Sequence, residues 1–291
     1  MQSKSESSEF QYELEPWEGE VEGKVLYNEI YLAIESFVEL ESEQIHAITI
    51  WILHTYFIRP NDSAQLCRYS PLLFLTSPER ACGKSTLLKI LSALSHYGKI
   101  ATNISDASLF RLVAGKKITL FLDEIDTYFS KRSEMVGLLN SGFEVTGSVL
   151  RQTGGDFGTT TEFSTWGAKC IAGIGAQPDT LESRTLKIQL KRKTAESNLR
   201  RVPEVLALDP NYFNNIKRRC IRFAIENETE ILTANEIFFP EIDDRAHDCW
   251  SGLLRLASYI GEIDNAKQSA RYLSANAKPD ESESIEFLKD V

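Results

Sequence analysis

The chain has 291 residues, of which 42% are hydrophobic and 25% are charged, and its formal net charge is −10 at pH 7. This composition is typical of a globular protein with a sizeable core and room for two subdomains. The acidic balance argues against a basic nucleic-acid-binding surface spread over the whole protein, although a narrow channel lined by a few lysines or arginines is compatible with it.

The sequence gives no sign of a membrane span, a signal peptide or a zinc site. No apolar run approaches the ~20 residues of a membrane helix, and the amino terminus lacks the apolar segment of a signal peptide. The 5 cysteines form no C-x-x-C pair, and the 4 histidines do not complete a metal-binding spacing. We therefore expect a cytoplasmic protein with free thiols, no structural zinc and no contact with a membrane.

The first part of the chain predicts helices. Residues 1–15 are polar and acidic, and we expect them to be a disordered lead. From residue 25 to residue 57 apolar side chains recur at helical spacing, which predicts two helices separated near residues 39–43. The second helix contains IHAITIWILHTYFI, which is too apolar to be exposed on all sides. We therefore expect residues 16–62 to pack on the domain that follows.

Residues 72–91, LLFLTSPERACGKSTLLKIL, predict a strand, a polar loop and a helix. This is the setting of a phosphate-binding loop, in which backbone N–H groups and the positive end of the helix dipole surround a polyphosphate. In that role Lys84, which follows Gly83, reaches the β- and γ-phosphates. Ser85 offers its hydroxyl to Mg²⁺, and Thr86 lies close to the α-phosphate.

The loop departs from the full pattern G-x-x-x-x-G-K-[ST], because Pro78 occupies the position of the first glycine. Since G-K-S-T also occurs by chance, an ordinary exposed turn is the alternative interpretation of this stretch taken alone. Cys82 lies inside the loop, where it is either an alkylation-sensitive thiol beside the ligand or a small residue that fills space.

Residues 118–124, ITLFLDE, predict the second half of the site. The short apolar run is typical of a buried parallel strand, and it ends in Asp123 and Glu124 at the edge where open α/β sheets place their ligands. In a nucleotide site Asp123 would hold Mg²⁺ through water, and Glu124 would orient and deprotonate the attacking water. A solvated acidic turn is the alternative, but its position after G-K-S-T favours a joint nucleotide site.

Other short apolar runs predict strands near residues 100, 168 and 185, with helices over 106–114 and 133–141. Together with the strands near 72 and 118 they indicate an α/β fold with a doubly wound, five-stranded parallel sheet. Residues 149–151 and 159–163 flank a turn-prone segment and predict a β-hairpin before the fourth core strand. We assign residues 63–193 to this α/β core.

Beyond residue 193 the pattern predicts helices only, over 212–228, 245–261 and 265–275. We expect residues 194–278 to form a separate helical subdomain. Residues 279–291 are an acidic tail, which is either a peripheral helix or the start of a further domain.

The order of these parts resembles an AAA+-type P-loop ATPase, with a pre-sensor hairpin and a C-terminal helical lid, near the superfamily-three helicases. More closely, the chain is similar to an uncharacterised family of ATPase domains carried by phages, plasmids and integrated bacterial elements, and Pro78 is in keeping with that family. The resemblance covers roughly residues 17–290. The segments that carry it are WILHTY (51–56), SPERACGKS (77–85), LDEIDT (122–127), LNSG (139–142), IAGIG (171–175), PDTLESR (178–184) and RAHDCW (245–250).

The resemblance implies ATP and Mg²⁺ as ligands and adds three site residues. Arg184, just before the last strand, corresponds to an arginine finger that points at the γ-phosphate bound in a neighbouring subunit, and pairing with Glu182 is the alternative. Arg245, at the start of a lid helix, corresponds to a basic residue that contacts nucleotide within its own chain, unless it pairs with Asp243 or Asp244 beside it. Gln177 is the nearest amide for a sensor position. These roles imply a homo-oligomeric ring, of which a hexamer is one form.

Two functions are compatible with such an ATPase. One is a DNA-associated motor of a mobile element, helicase-like or acting in replication, in which Arg151, Phe157 and Lys169 of the hairpin line a pore and contact a nucleic-acid strand. A plain surface hairpin is the alternative for those residues. The other function is a nucleotide switch or protein-remodelling ATPase in a phage-defence or regulatory assembly, with a protein partner and no action on DNA. The acidic balance favours the second function, whereas the hairpin favours the first.

Overall fold

The computed structural model describes residues 14–58, 65–79, 82–102, 104–115, 118–125, 133–153, 158–175, 177–194 and 197–275. Five of its strands form an all-parallel sheet in the order β2-β3-β6-β1-β7, and the other two form an antiparallel hairpin. The strands are β1 Leu72–Thr76, β2 Gly98–Ala101, β3 Thr119–Leu122, β4 Ser148–Thr153, β5 Thr159–Ser164, β6 Lys169–Gly173 and β7 Thr185–Gln189. The predicted α/β class, the five parallel strands and the hairpin are thus confirmed.

Helices connect the strands and follow them. They are α1 Gly23–Glu35, α2 Ser42–His54 with a 3-10 turn over Thr55–Phe57, α3 Lys84–Leu94, α4 Asp106–Gly115, α5 Ser133–Ser141, α6 Asp179–Glu182, α7 Val202–Leu208, α8 Tyr212–Thr233, α9 Asp244–Tyr259 and α10 Ile263–Ala275. The sequence did not predict α6 and α7, because helices of 4 and 7 residues are too short to show a periodic apolar pattern. Among the described residues, no helix combines the length and the apolar content needed to cross a membrane.

The sheet is buried on both faces, which explains its continuous apolar strands. All five residues of β1 are buried, and they alternate between two apolar clusters. Leu73 and Leu75 join the cluster that contains α2, α3 and α8, whereas Leu72 and Phe74 join the one that contains α4 and α5. The molecule therefore has three layers, and the loops at the carboxyl ends of the strands are left at one edge.

The apolar helix α2 lies against the sheet. The Trp51 indole N–H donates to the carbonyl of Pro71 at 3.0 Å, and its ring meets Phe121 of β3 edge-on at 6.1 Å. The helices that we expected to form a separate lid share one apolar core with α1 and α2. Helix α10 contacts α2, and α8 contacts α3. The N-terminal and C-terminal helices therefore lie on the same side of the sheet.

Candidate functional site

Side chains at both ends of the loop between β1 and α3 are linked by hydrogen bonds. Ser77, which is buried, donates its hydroxyl proton to the carbonyl of Glu79 at 2.5 Å and accepts a hydrogen bond from Lys84 Nζ at 2.5 Å. Gly83 precedes α3 with φ of +86°, in the left-handed region that only glycine adopts without strain. The first N–H groups of α3 have no partner within the helix, so they are available to an anion in front of the loop.

Ser85 and Asp123 meet although they follow different strands. Because β1 and β3 are parallel and have only β6 between them, their carboxyl ends lie at the same edge of the sheet. The Ser85 hydroxyl donates to Asp123 Oδ2 at 3.4 Å, and Asp123 Oδ1 accepts from the backbone N–H of Glu124 at 2.9 Å. Glu124 has φ of +57°, which is unusual for a residue with a Cβ and typical of a functional turn.

A cleft of about 990 Å³ opens in front of these groups. One wall is formed by residues 82–86, by Asp123 and Glu124, and by Gly173 and Ile174 at the end of β6. We call the rest of the described lining the second wall. It comes from two distant stretches, residues 37–39 between α1 and α2, and Lys191, Lys193 and residues 199–203 around the start of α7. The sequence interpretation missed this second wall. Its only signal was a set of basic residues at 191–193 and 200–201 in a chain that is otherwise acidic.

The cleft is positively charged, unlike the chain as a whole. Six of its lining residues are basic and three are acidic. The basic ones are Lys84, Lys89, Lys191, Lys193, Arg200 and Arg201, and the acidic ones are Glu39, Asp123 and Glu124. With a net charge of −10 on the protein, this local excess of cations indicates an anionic ligand.

The same cleft offers hard oxygen ligands for a small divalent cation. Within the described residues no group of three or more His, Cys, Asp and Glu side chains is placed to hold a metal ion. Mg²⁺, however, is commonly held by one or two protein oxygens together with the phosphates of a substrate. The Ser85 hydroxyl and the Asp123 carboxylate, 3.4 Å apart, are suited to that type of site.

Two other loop residues lie at or behind the cleft. Cys82 is buried and borders both the cleft and a second cavity of about 440 Å³. Pro78 lines only the second cavity, together with Gln44 and Tyr272 of α2 and α10. Thr86 and Cys82 therefore line the cleft, whereas Pro78 lines the second cavity.

Arg184 lies outside the cleft of its own chain. Its guanidinium donates to the carbonyl of Thr180 and stacks 5.8 Å from the centre of the Phe143 ring. Among the described residues it makes no ion pair with Glu182, so the expected alternative is not observed. Phe143 itself is buried and also stacks on Tyr69 at 5.0 Å, and we call the surface formed over this ring by Tyr69, Arg184 and their neighbours the Phe143 patch.

Arg245 is not among the described residues that line the cleft either, and its expected contact with nucleotide within its own chain stays a prediction. It forms an ion pair with Asp248 at 3.2 Å, one turn along α9, and its guanidinium lies 5.9 Å from the ring of Phe143. Arg184 and Arg245 therefore share one aromatic ring. The reason is that α9 packs beside the end of α6, where the Cys249 thiol lies 3.8 Å from the carbonyl of Ser183.

Gln177 is likewise absent from the cleft lining in the described part of the chain. It is buried, and its side-chain oxygen accepts a hydrogen bond from the Thr185 hydroxyl at 3.3 Å. The residues that do border the cleft at the end of β6 are Gly173 and Ile174.

The hairpin residues have separate environments. Arg151 forms an ion pair with Glu134 at 2.8 Å and lies over the ring of Phe110, while Phe157 falls outside the described residues. Lys169 is only 2% exposed, so its side chain is not at the surface, where the expected nucleic-acid contact would need it. Its ammonium donates to the carbonyls of Gly142, Thr165 and Gly167 at 3.2, 2.8 and 2.8 Å, and burial lowers its pKa to about 7.

Comparison with known proteins adds no relative. No protein-family model matches the chain, and no curated protein matches its sequence.

Proposed function

We propose that this chain is a Mg²⁺-dependent ATPase of the P-loop, AAA+-like type. The observation that carries the proposal is the approach of Ser85 Oγ to Asp123 Oδ2, at 3.4 Å, in a cleft lined by Lys84 and Glu124. A hydroxyl at a helix start, a lysine beside it and two carboxylates at a neighbouring strand end are the groups that phosphoryl transfer to water requires. The choice of adenine as the base rests on the sequence resemblance.

Each group has a defined task in this proposal. Ser85 and Asp123 hold Mg²⁺, which when bound offsets the negative charge of the phosphates. Lys84, whose ammonium now contacts the Ser77 hydroxyl, donates instead to the β- and γ-phosphate oxygens, and Thr86 lies at the α-phosphate. Glu124 accepts a proton from the attacking water at its carboxylate and orients that water toward the γ-phosphorus.

We further propose that the active form is a homo-oligomeric ring in which Arg184 serves the cleft of the neighbouring subunit. Two observations support this arrangement. Arg184 does not line the cleft of its own chain, and it lies on the Phe143 patch with a half-exposed side chain. A guanidinium delivered by a neighbour to the γ-phosphate stabilises the charge that develops during transfer.

For the process that hydrolysis drives, the hairpin observations favour a nucleotide switch or protein-remodelling ATPase over a DNA-associated motor. The ammonium of Lys169 is buried and saturated by carbonyls, and Arg151 is paired with Glu134. Fewer cations therefore face outward at the hairpin than the sequence suggested. A DNA motor remains the alternative, and it requires that DNA raise the rate of hydrolysis.

Calorimetry with Mg-ATP and a phosphate-release assay test the proposal. We expect the wild-type chain to bind and hydrolyse Mg-ATP, and Lys84→Ala to lose about 100-fold in affinity or turnover because it removes the only side-chain cation within the loop's first helical turn. Lys99→Ala on the exposed strand β2 is the matched control and should behave like the wild type. The absence of binding heat with the wild type would refute the proposal. Rates measured with and without DNA then separate the two processes.

A further inference from the structure

The stretch between β7 and α7 forms one side of the cleft. We call its described residues, 190–194 and 197–201, the connector. Four basic connector residues line the cleft, namely Lys191, Lys193, Arg200 and Arg201. Arg192 differs from them, because it borders the second cavity and lies 3.7 Å from Glu79. Four connector cations therefore line the same cleft as residues 82–86.

The connector is anchored at defined points. At its start, the N–H of Leu190 donates to the carbonyl of Thr76 at 2.8 Å, directly where β1 enters the loop. Near its end, the N–H of Arg200 donates to the carbonyl of Ser36 at 2.8 Å, and the Arg200 guanidinium stacks 5.8 Å from the ring of Phe37. Lys193 and Arg201, by contrast, are exposed, and among the described residues the side chain of Arg201 pairs with Glu204 alone, at 3.4 Å. These two long side chains can therefore turn toward a ligand at small cost.

The cleft lining also includes apolar side chains, which we call its apolar end. Val38 comes from the turn between α1 and α2, and Leu199, Val202 and Pro203 come from the connector and the first turn of α7. Val38 borders the loop before α3, since a Cβ built on Gly83 would lie 3.9 Å from its Cγ1 atom. A ligand that spans this cleft therefore needs a polyanionic end and a flat apolar end.

We propose that the connector is the second half of the nucleotide site within the same chain. Lys193 and Arg201 contact the phosphates, and Leu199 with Val202 covers the base against Val38. This inference rests on the proposed function, and it assigns to the connector the cationic contact that the family resemblance placed on Arg245. The ligand class that fits both ends is a nucleoside triphosphate, whereas inorganic tripolyphosphate fits only the charged end.

Titration of the full chain with two probes, Mg-ATP and Mg-tripolyphosphate, tests this assignment. We expect the double variant Lys193→Ala/Arg201→Ala to weaken both probes by about 10-fold, since each exposed charge contact contributes roughly threefold. We expect Leu199→Ser to weaken Mg-ATP by about threefold and to leave tripolyphosphate unchanged, because it alters only the apolar end. Arg192→Ala is the matched control, since it removes a connector cation outside the cleft, and it should stay within about twofold of the wild type.

Two results overturn the inference. One is a double variant that binds both probes as tightly as Arg192→Ala does, and the other is a Leu199→Ser variant that weakens both probes equally. These results count against the connector only if the wild type binds Mg-ATP and Lys84→Ala does not. In that case the proposed function still stands, and only the role of the connector is refuted. If the wild type binds neither probe, the proposed function itself fails and the connector assignment fails with it. Denaturant midpoints of the variants equal to that of the wild type show that the losses arise in binding.

Discussion

Replacing Arg184 with alanine separates catalysis from binding most sharply, because this residue lies outside the cleft of its own chain. Its contacts are the Thr180 carbonyl and the buried Phe143 ring, and neither residue lines the cleft. We therefore expect the dissociation constant for Mg-ATP to change by less than about twofold. The turnover rate should fall by about 10³-fold or more, which is the range for a transition-state arginine supplied by a neighbour. Calorimetry and phosphate release measure the two quantities.

A mixing experiment shows whether Arg184 acts between subunits. A Lys84→Ala subunit has a defective cleft and an intact Arg184, whereas an Arg184→Ala subunit has the reverse. In a ring with head-to-tail interfaces, an equal mixture of the two inactive variants should regain about one quarter of the wild-type rate, because one interface in four combines an intact cleft with an intact arginine. A mixture that stays inactive although mixed assemblies form would refute the reasoning. So would an Arg184→Ala variant that loses binding and turnover equally.

Three further predictions concern the site and the core. Glu124→Gln should retain Mg-ATP binding and lower turnover by about 10²-fold or more, because the amide cannot accept the proton from water, and unchanged turnover would contradict that role. Lys169→Met should lower the free energy of unfolding by about 2–4 kcal/mol in urea, since three buried carbonyls lose their donor, while the exposed Lys99→Met should change it by less than about 0.5 kcal/mol. Burial lowers the pKa of His54 from 6.5 to about 3, so the unfolded chain binds a proton that the folded chain does not. The free energy of unfolding should therefore fall by about 1.4 kcal/mol per pH unit as the pH drops from about 6.5, and this slope should be reduced in His54→Leu. Equal slopes for the two proteins between pH 6 and pH 4.5 would contradict the assignment.

The parallel sheet was accessible from the sequence because burial on both faces leaves a strong local signal. Leu72–Thr76 and Thr119–Leu122 are short, wholly apolar or β-branched runs, and the structure buries every one of their residues. The approach of Ser85 to Asp123 follows from the same signal, since parallel strands bring their carboxyl ends to one edge. These parts of the site needed no knowledge of long-range packing.

The second wall of the cleft could not be predicted in this way. Val38 and Leu199 lie far apart in the sequence, and each is close to the cleft only because α1, α2 and the helices that follow α7 share one apolar core. Lys169 illustrates the reverse case. A lysine at the start of a strand is usually exposed, and its burial depends on three carbonyls contributed by the end of α5 and by the segment that leads into β6. Neither arrangement has a local pattern that sequence reasoning can detect.

The placement of the arginines divides the proposed site into two parts with different sources. The cations that line the cleft come from α3 and the connector of the same chain, whereas Arg184 and Arg245 both stack on Phe143, outside that cleft. Because Arg245 is on α9 and Arg184 precedes β7, a neighbour seated on the Phe143 patch would contact the core and the C-terminal helices together. Any rotation of those helices relative to the sheet would then change the distance between Arg245 and Arg184, which both contact the Phe143 ring. In the proposed ring, the connector serves nucleotide binding and the Phe143 patch serves catalysis in the neighbouring subunit, and the helices next to both share one apolar core.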